Sequence, residues 1–297
     1  MKLWAVAMVR NEVDIIEAFA RHNLAFVDGL AMLDHRSTDG TYEVLGALQA
    51  EGLPVARLRT FDTAFFKGSH VSALARECFT RTGADFVFAL DADEFICAPS
   101  RAALEGSLAQ VPPVSHGLHR WRSYVPTSFD GRFGPHCLRF RMREEPIPRY
   151  KVIIRRLFAE RPHEMVSEGN HRIVDIRARQ GGAHHLIAPD ALCLAHCPVR
   201  SAKQLSSKAR LGYEARLAAA NGAPDPGMSF HWREICEDLD RGVELDESRL
   251  RLIAMNYTLP RAQWTPAERV ALVEDPLELR AIRGPPHSPF RSTLDHC

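Results

Sequence analysis

A cluster of acidic residues, Asp91, Asp93 and Glu94, follows directly on the apolar run at residues 86–90. Side chains two positions apart in an extended chain leave it on the same side, so Asp91 and Asp93 can share one cation. Carboxylate oxygens suit Mg2+ or Mn2+, and the phosphates of a substrate commonly complete the coordination shell. The sequence therefore predicts a divalent-cation site at Asp91 and Asp93, and a structural role for Glu94, which strand alternation turns away.

The context of these aspartates distinguishes them from a second pair with the same spacing. Residues 86–90 are apolar at every position, which is typical of a strand covered on both faces in a parallel sheet. Open α/β sheets bind ligands beyond the carboxyl ends of their strands, so a pocket is expected beside Asp91. Asp238 and Asp240 lie instead in a polar helical pattern, where they point in different directions and are expected on a solvated face.

Apolar runs alternate with helical patterns along the first third of the chain. The predicted strands are residues 3–9, 29–33, 55–59 and 86–90, and the predicted helices are residues 12–26, 42–48 and 69–80. Such alternation is typical of successive βαβ units and a parallel sheet. Right-handed crossovers then bring the segment Arg10-Asn11-Glu12, Asp34 and the predicted cation site to one edge of that sheet.

Helix-start signals precede two segments. Ser37, Thr38 and Asp39 are favoured N-cap residues ahead of the helix predicted from residue 42. The segment Thr265-Pro266-Ala267-Glu268 has the N-cap, the N1 proline and the N3 glutamate of a capping box, so a helix is expected to begin there.

The pattern is less regular beyond residue 99. Further helices are predicted at residues 101–109 and 202–221, and further strands at residues 117–124, 138–142 and 151–155. The basic residues between Arg139 and Arg156 either line a groove for an acidic substrate or occupy solvated edge positions, and edge strands commonly carry such charges. We expect a main domain over residues 1–222, a helical appendage over 223–283 and a poorly ordered tail over 284–297.

The composition is that of an ordinary globular chain of 297 residues, 45% hydrophobic and 25% charged. A formal net charge of +1 argues against a nucleic-acid binder, which usually carries a basic excess. The seven cysteines form no CxxC pair, which favours free thiols in a reducing compartment, the cytoplasm. No apolar stretch approaches the ~18 residues of a membrane helix, although peripheral membrane association stays open.

Short motifs follow the ends of the predicted strands in the order known from one group of enzymes. They are Val9-Arg10-Asn11-Glu12, Asp34-x-x-Ser37-Thr38-Asp39-Gly40-Thr41, Leu90-Asp91-Ala92-Asp93-Glu94-Phe95, Gly169-Asn170-His171, and His196-Cys197-Pro198-Val199-Arg200-Ser201 with Gln204 and Lys208. Together they resemble family-2-like glycosyltransferases of the GT-A fold, and the last two are similar to a bacterial branch of that group. The resemblance implies a Rossmann-like, mixed and mainly parallel sheet flanked by helices.

The resemblance also implies roles for individual residues. Asp91 would contact the ribose of a nucleotide or the metal through water, while Asp93 would ligate the Mn2+ or Mg2+ ion that bridges the diphosphate. Glu12 and Asp34 would recognise the ribose and base of a nucleotide-sugar, usually a UDP-sugar. His196 stands where a third metal ligand is often found, although a satisfied buried histidine is an equal interpretation.

Further basic and polar residues complete the implied donor site. Arg10 and Asn11 belong to the nucleotide-sugar-binding edge, and Arg200 and Lys208 would hold phosphate oxygens unless they are surface charges of a helix. Cleavage of a glycosyl-phosphate bond develops negative charge on the leaving diphosphate, which a cation, lysine or arginine stabilises.

An inverting displacement needs a base that takes the proton of the acceptor hydroxyl. Glu168 and His171 are the candidates for this catalytic role. The chain lacks the Glu-Asp pair that many inverting relatives carry nearby, so the base and the stereochemical outcome stay open. The acceptor could be a growing polysaccharide, a lipid-linked sugar or a protein.

Two other functions remain open at this point. A nucleotidyltransferase also combines a parallel sheet, a cation and a nucleotide, but it usually carries a Gly-rich basic loop after the first strand, unlike Val9-Arg10-Asn11-Glu12. A non-catalytic nucleotide- or sugar-binding protein on a decayed enzyme fold is the second alternative, and intact Asp91, Asp93 and Glu12 argue against it.

Overall fold

The structure, a computed structural model, describes residues 1–177, 180–220 and 230–280. The strands are β1 Leu3–Val9, β2 Gly29–His35, β3 Val55–Thr60, β4 Phe86–Leu90, β5 Glu94–Cys97, β6 His116–Ser123, β7 Phe140–Met142, β8 Tyr150–Arg155, β9 Glu164–Val166, β10 Ile173–Asp175, β11 Gln180–Gly181, β12 His184–Leu186, β13 Cys193–His196 and β14 Leu272–Glu274. The helices are α1 Ile16–Asn23, α2 Thr41–Ala50, α3 Lys67–Thr82, α4 Arg101–Ala109, α5 Ala202–Ala219, α6 Phe230–Asp240 and α7 Glu247–Asn256.

The main sheet has the strand order β3-β2-β1-β4-β8-β6-β13-β5, and β12 pairs with β6. Strands β3, β2, β1 and β4 are parallel to one another, β8 runs antiparallel to both β4 and β6, and β13 runs parallel to β6. Smaller sheets join β11-β10-β9 and β14-β7. The predicted class, an α/β fold around a mixed and mainly parallel sheet, is confirmed.

Strand β1 lies at the centre because apolar residues cover both of its faces. Leu3, Ala5, Ala7 and Val9 pack into a cluster with α1, α2 and α4. The alternate residues Trp4, Val6 and Met8 pack into a second cluster with α3. This period of two is the alternation of a strand that is buried on both faces. The sheet is therefore sandwiched between helical layers, and polar side chains collect where its strands end.

The C-terminal helices form a third apolar cluster against the long helix α5. Leu205 and Ala209 of α5 pack with Ile235 of α6 and with Leu250 and Ile253 of α7. The boundary predicted after residue 222 and the tail predicted from Gly284 lie outside the described residues, so the three-part division stays a prediction. No helix in the described ranges combines the length and the apolar character needed to cross a membrane.

The two helix-start predictions are wrong in detail. Helix α2 begins at Thr41 after Gly40, whose φ of 102° is left-handed, and no side chain caps its N-cap position. Asp39 instead accepts a hydrogen bond from the Thr41 amide at 3.0 Å. The predicted capping box contains only a short 3-10 turn at Ala267–Arg269, preceded by non-helical backbone at Pro266 and without a side-chain cap.

Of the expectations about surface charge, the edge interpretation of the basic run fails for Lys151, although Arg139 and Arg143 are exposed, and the solvated-face expectation fails for Asp238. Strand β8 is not an edge strand, because it lies between β4 and β6, and its Lys151 is 1% exposed. Asp238 is 3% exposed and does not lie on a solvated face, whereas Asp240 does remain exposed. Periodicity alone does not reveal which helix face a later segment covers, and Arg249 and Arg261 cover the face that holds Asp238.

Candidate active site

The loops after β1 and β2 hold each other in place at the carboxyl edge of the sheet. The Asn11 amide donates to Ser37 Oγ at 2.9 Å, and the Thr38 amide donates to Asn11 Oδ1 at 2.8 Å. The Glu12 amide donates to Thr41 Oγ1 at 2.9 Å. Asn11 has φ = 53°, a left-handed conformation that asparagine tolerates better than most residues. These bonds join the first two motifs into one rigid rim.

A cavity of about 360 Å³ opens at this edge. Nine of the sequence-predicted site residues line it: Arg10, Asn11, Glu12, Asp91, Asp93, Glu168, His171, His196 and Lys208. Asp34 and Arg200 lie outside the lining. Residues as far apart in the sequence as Arg10 and Lys208 therefore line one cavity. The parallel strands and helix α5, which packs across their ends, bring them together.

Asp91 is surrounded by donors from three separate segments. Its Oδ1 accepts from Lys67 and, at 3.1 Å, from Asn170, while its Oδ2 accepts from Lys151 at 2.7 Å. Burial alone would raise the pKa of Asp91, but the ammonium groups of Lys151 and Lys67 outweigh it and hold this pKa well below its usual range. Asp91 is therefore ionised, and both of its oxygens are engaged by the protein.

Asp93 has a different environment. Its Oδ2 accepts from Lys208 at 2.5 Å, and its Oδ1 lies 3.9 Å from His196 Nε2. Burial would raise the pKa of Asp93, but the ammonium group of Lys208 outweighs it, and this pKa is lowered. Burial lowers the pKa of His196 to about 4, so its imidazole is neutral at physiological pH. Trp121 stacks on that ring with centroids 4.2 Å apart, which fixes its orientation.

Glu12 and Arg200 form a buried ion-pair network behind Asp93. Arg200 donates to Glu12 and, at 2.6 Å, to Asp14, and it is 1% exposed. Lys208 bridges Glu12 at 3.3 Å and Asp93. Arg200 is thus neither a surface charge nor a cavity-lining group. Arg200 positions Glu12 from outside the cavity.

Two of the three predicted metal ligands fit a divalent cation. No group of three or more His, Cys, Asp or Glu side chains in the described ranges is arranged to hold a metal. Asp91 does not fit as a direct ligand because protein donors engage both of its oxygens. Asp93 Oδ1 and His196 Nε2 do fit, since a carboxylate oxygen suits Mn2+ or Mg2+ and a neutral imidazole suits transition-metal ions. A carboxylate oxygen and a neutral imidazole together are a donor pair that Mn2+ accepts.

The two candidate bases differ in whether an atom is left to accept a proton. Glu168 accepts from Arg216 at 2.7 Å and from the Gly68 amide at 3.0 Å, so both oxygens are engaged. His171 Nδ1 donates to the Tyr150 carbonyl at 2.8 Å, which leaves Nε2 as the unprotonated acceptor. Burial, and next the charge of Lys151, lower the pKa of His171 to about 4. His171 is the candidate that can accept a proton at neutral pH.

Gly169 leaves space next to the acceptor atom of His171, Nε2. A Cβ at this position would lie 2.7 Å from His171 Nε2, and its φ of 78° is in the left-handed region. Glycine is therefore required both by the backbone conformation and by the space next to the imidazole.

Asp34 is fully buried below the rim. Its Oδ2 accepts from Arg59 at 2.9 Å and from the Ser37 amide at 3.2 Å, whereas Oδ1 is a buried oxygen without a hydrogen-bond partner among the described residues. Glu94 is fully buried as well, and its Oε2 accepts from the Asp91 amide at 2.8 Å. Burial raises the pKa of Glu94 to about 8, in keeping with a structural role.

Sequence reasoning missed several residues that line the cavity. Lys67, Lys151, Trp121, Arg216, His231, Trp232 and Tyr257 all contribute to its walls. Only Lys151 could have been found from the sequence, because it belongs to the basic run for which a groove that binds an acidic substrate was one of two interpretations. Helix α6 and the residue after α7 supply His231, Trp232 and Tyr257 to the cavity wall, and no short motif marks them.

Solved structures resemble the chain only at low similarity. The mannosyltransferase PcManGT from Pyrobaculum calidifontis, in complex with GDP-Man and Mn2+, matches 90% of this chain and 77% of its own, at 14% identity and a TM-score of 0.44. TarS from S. aureus matches 88% of this chain at 12% identity and a TM-score of 0.39, and the match covers half of the TarS chain. A putative glucose-1-phosphate thymidylyltransferase from Bacillus anthracis matches 77% at 9% identity and a TM-score of 0.37.

No protein-family model matches the sequence, and the search of curated proteins finds no similar chain. Similarity this low does not establish a function. The function must therefore be inferred from the side chains that line the cavity.

Proposed function

We propose that the protein is a glycosyltransferase that moves a sugar from a nucleotide-sugar to a hydroxyl group of an acceptor. One observation carries this proposal. Glu12, Asp91, Asp93 and Lys208 come from the ends of β1 and β4 and from α5, and they meet in one cavity together with a neutral histidine base, His171.

The cavity offers groups for each part of the reaction. Lys208 carries positive charge next to Asp93, where charge on a leaving diphosphate needs stabilisation. A divalent cation, when bound by Asp93 and His196, would supply further neutralisation of that charge. His171 Nε2 would take the proton of the acceptor hydroxyl, which corresponds to an inverting displacement.

The proposal extends to the donor and the compartment. Glu12, Arg10 and Asn11 would contact the nucleoside, whereas Asp34 is buried below the rim and would not, and a UDP-sugar is the donor that the motif resemblance favours. Six described cysteines are free thiols, which suits a reducing compartment, and we place the reaction in the cytoplasm. The acceptor would enter past the aromatic side chains of α6.

The first experiment measures thermal stability against UDP, GDP, CDP and ADP, each with and without Mn2+. A ligand at 100 times its dissociation constant stabilises a fold by ~2.7 kcal/mol, which is a clear shift. Asp93→Asn should reduce the stabilisation, while the matched control Asp240→Asn, an exposed aspartate, should not. Release of free sugar from the corresponding nucleotide-sugar then separates a glycosyltransferase from a nucleotidyltransferase. Binding without any turnover supports a non-catalytic protein, and the absence of any stabilisation overturns the proposal.

A further inference from the structure

We propose that Cys97 and Cys193 form a modification site, at which a peroxide converts the two thiols into a reversible disulfide between strands β5 and β13. Neither cysteine belongs to the residues that line the cavity, so this chemistry does not depend on the proposed sugar transfer. The two positions are far apart in the sequence, and only the fold brings them together.

The first observation is the register of the two strands. Strands β5 and β13 are antiparallel, and Cys193 lies directly opposite Cys97. Opposed residues of an antiparallel pair have Cα atoms about 4.5 or 5.5 Å apart, depending on the hydrogen-bond pattern. A disulfide requires Cα atoms about 4.4–6.8 Å apart. The backbone therefore already has the spacing that a disulfide between these two residues needs.

The second observation is that the two free thiols lie on the same face of this strand pair, as opposed residues do. Hydrogen bonding with Cys97 lowers the pKa of Cys193, and the guanidinium group of Arg122 lowers it further. The same interaction raises the pKa of Cys97. Cys193 therefore supplies a thiolate, which is the form that reacts with oxidants, next to a thiol that keeps its proton.

The third observation is access from solvent. Cys97 is partly exposed, so a small oxidant reaches the pair past this residue, whereas Cys193 is 2% exposed. A second pair of cysteines provides a comparison. The Cys197 thiol donates to the Cys137 carbonyl at 3.7 Å, but these two residues are 0% and 1% exposed. Oxidation is therefore expected at Cys97 and Cys193 and not at the fully buried pair.

The reaction balances with hydrogen peroxide as the only added reagent. The Cys193 thiolate attacks one peroxide oxygen and breaks the O–O bond, which gives a sulfenic acid and, with the proton of the former thiol, one water molecule. The Cys97 sulfur then attacks the sulfenic sulfur. The S–S bond forms, the S–O bond breaks, and the hydroxyl group leaves with the Cys97 proton as a second water molecule. Each sulfur loses one electron, the peroxide gains two, and a dithiol reverses the change.

The disulfide would act on a pair of strands that also carries part of the candidate active site. At their other ends the same two strands pair His196 with Glu94, the residue after Asp93. A bond between residues 97 and 193 closes a long loop of the chain, and long loops give large stabilisation when they are closed without strain. Oxidation should therefore stabilise the fold while every side chain of the cavity stays in place.

The test uses the Cys297→Ser variant, which removes a cysteine that lies outside the described residues. After treatment with equimolar hydrogen peroxide, peptide mapping by mass spectrometry without reductant should find a disulfide between Cys97 and Cys193. Dithiothreitol should reverse it. The thermal unfolding midpoint of the oxidised protein should lie at least about 4 °C above that of the reduced protein.

Two variants in the same background control this result. Cys97→Ser should abolish both the disulfide and the rise in the unfolding midpoint, and Cys97→Ala serves if the serine variant does not fold. Cys236→Ser removes a buried cysteine of the third apolar cluster and should change neither observation. Peroxide treatment of the urea-unfolded chain should give mixed pairings, because only the folded chain places Cys97 opposite Cys193.

Several results would overturn the proposal. They are a disulfide between Cys137 and Cys197 alone, oxidation of Cys97 to a sulfinic acid without any link, and the same single pairing in the unfolded chain. An unchanged or lower unfolding midpoint after oxidation would contradict the unstrained geometry on which the site rests. A protein that forms the disulfide but binds no nucleoside diphosphate would support the modification site and overturn only the proposed sugar transfer.

Discussion

Lys151 Nζ lies 2.7 Å from Asp91 Oδ2 and 3.0 Å from Glu94 Oε1, and Lys151 lines the cavity. The contact exists because β8 is inserted antiparallel between β4 and β6, which brings a residue sixty positions away against the end of β4. An aspartate pair that resembles a metal-binding motif is thereby partly neutralised by lysine.

Removal of this buried cation should destabilise the fold. In Lys151→Met the charges of Asp91 and its neighbours lose a fully desolvated partner, and breaking such a pair costs about 3–5 kcal/mol. Urea unfolding followed by circular dichroism measures the change, with Lys203→Met as the surface control. A loss below about 1 kcal/mol, the value of an exposed pair, would contradict the structural role.

His171→Asn should lower the rate of sugar transfer by about 10²–10⁴ without lowering affinity for the nucleotide, because a general base contributes that much. Glu168→Gln should have a smaller effect, since Arg216 already engages this carboxylate. The rate itself should be constant from neutral pH downwards and fall as pH approaches about 4, where the imidazole becomes protonated. Steady-state kinetics across pH test both points, and a larger effect in Glu168→Gln would reverse the assignment.

Stability should decrease in mild acid. Burial lowers the pKa of His22, His116, His171 and His196 to about 4 in the folded state, against 6.5 for the ordinary side chain. The unfolded chain then binds more protons, so this contribution is fully present above pH 6.5 and is lost as pH falls towards 4. Each histidine costs up to about 1.4 kcal/mol per pH unit in that window. The urea midpoint should fall between pH 7 and pH 5, and less steeply in His22→Gln; an unchanged midpoint contradicts this.

The two aspartates should differ in metal binding. Asp93→Asn should abolish binding of Mn2+, whereas Asp91→Asn should retain it, because only Asp93 leaves an oxygen facing His196. Electron paramagnetic resonance of free Mn2+ in titrations measures the bound fraction directly. An equal loss in both variants would make Asp91 a ligand after all.

The buried carboxylate of Asp238 should be a stability determinant of the C-terminal helices. It accepts from Arg249 at 2.7 Å and from Arg261 at 2.7 and 2.9 Å. Asp238→Ala leaves these two guanidinium groups and that of Arg241 without this partner and should cost about 3–5 kcal/mol. Asp240→Ala removes an exposed ion pair with Arg210 and should cost under about 1 kcal/mol. Similar unfolding midpoints for the two variants would contradict the distinction.

Much of the fold could be predicted from local pattern. Strands β1 and β4 and helix α4 have the predicted bounds, because both strands are unbroken apolar runs and the helix buries Leu104 and Leu108, one turn apart. Helix ends were predicted less well. Gly40 displaces the expected Ser/Thr/Asp cap since its left-handed φ turns the chain before α2. Asp238 was misjudged because the arginines that cover it come from segments outside its own helix.

The sequence by itself determined the parallel β1–β4 core and the polar loops that follow its strands, since alternation and burial are local and crossover handedness is general. Only the tertiary structure decided which residues from other parts of the chain contact those loops. The order of strands places Lys151 under Asp91, and the return of α5 places Lys208 against Asp93. Ion pairs between residues far apart in the chain depend on how whole helices and strands pack together. Short-range sequence patterns do not predict that packing.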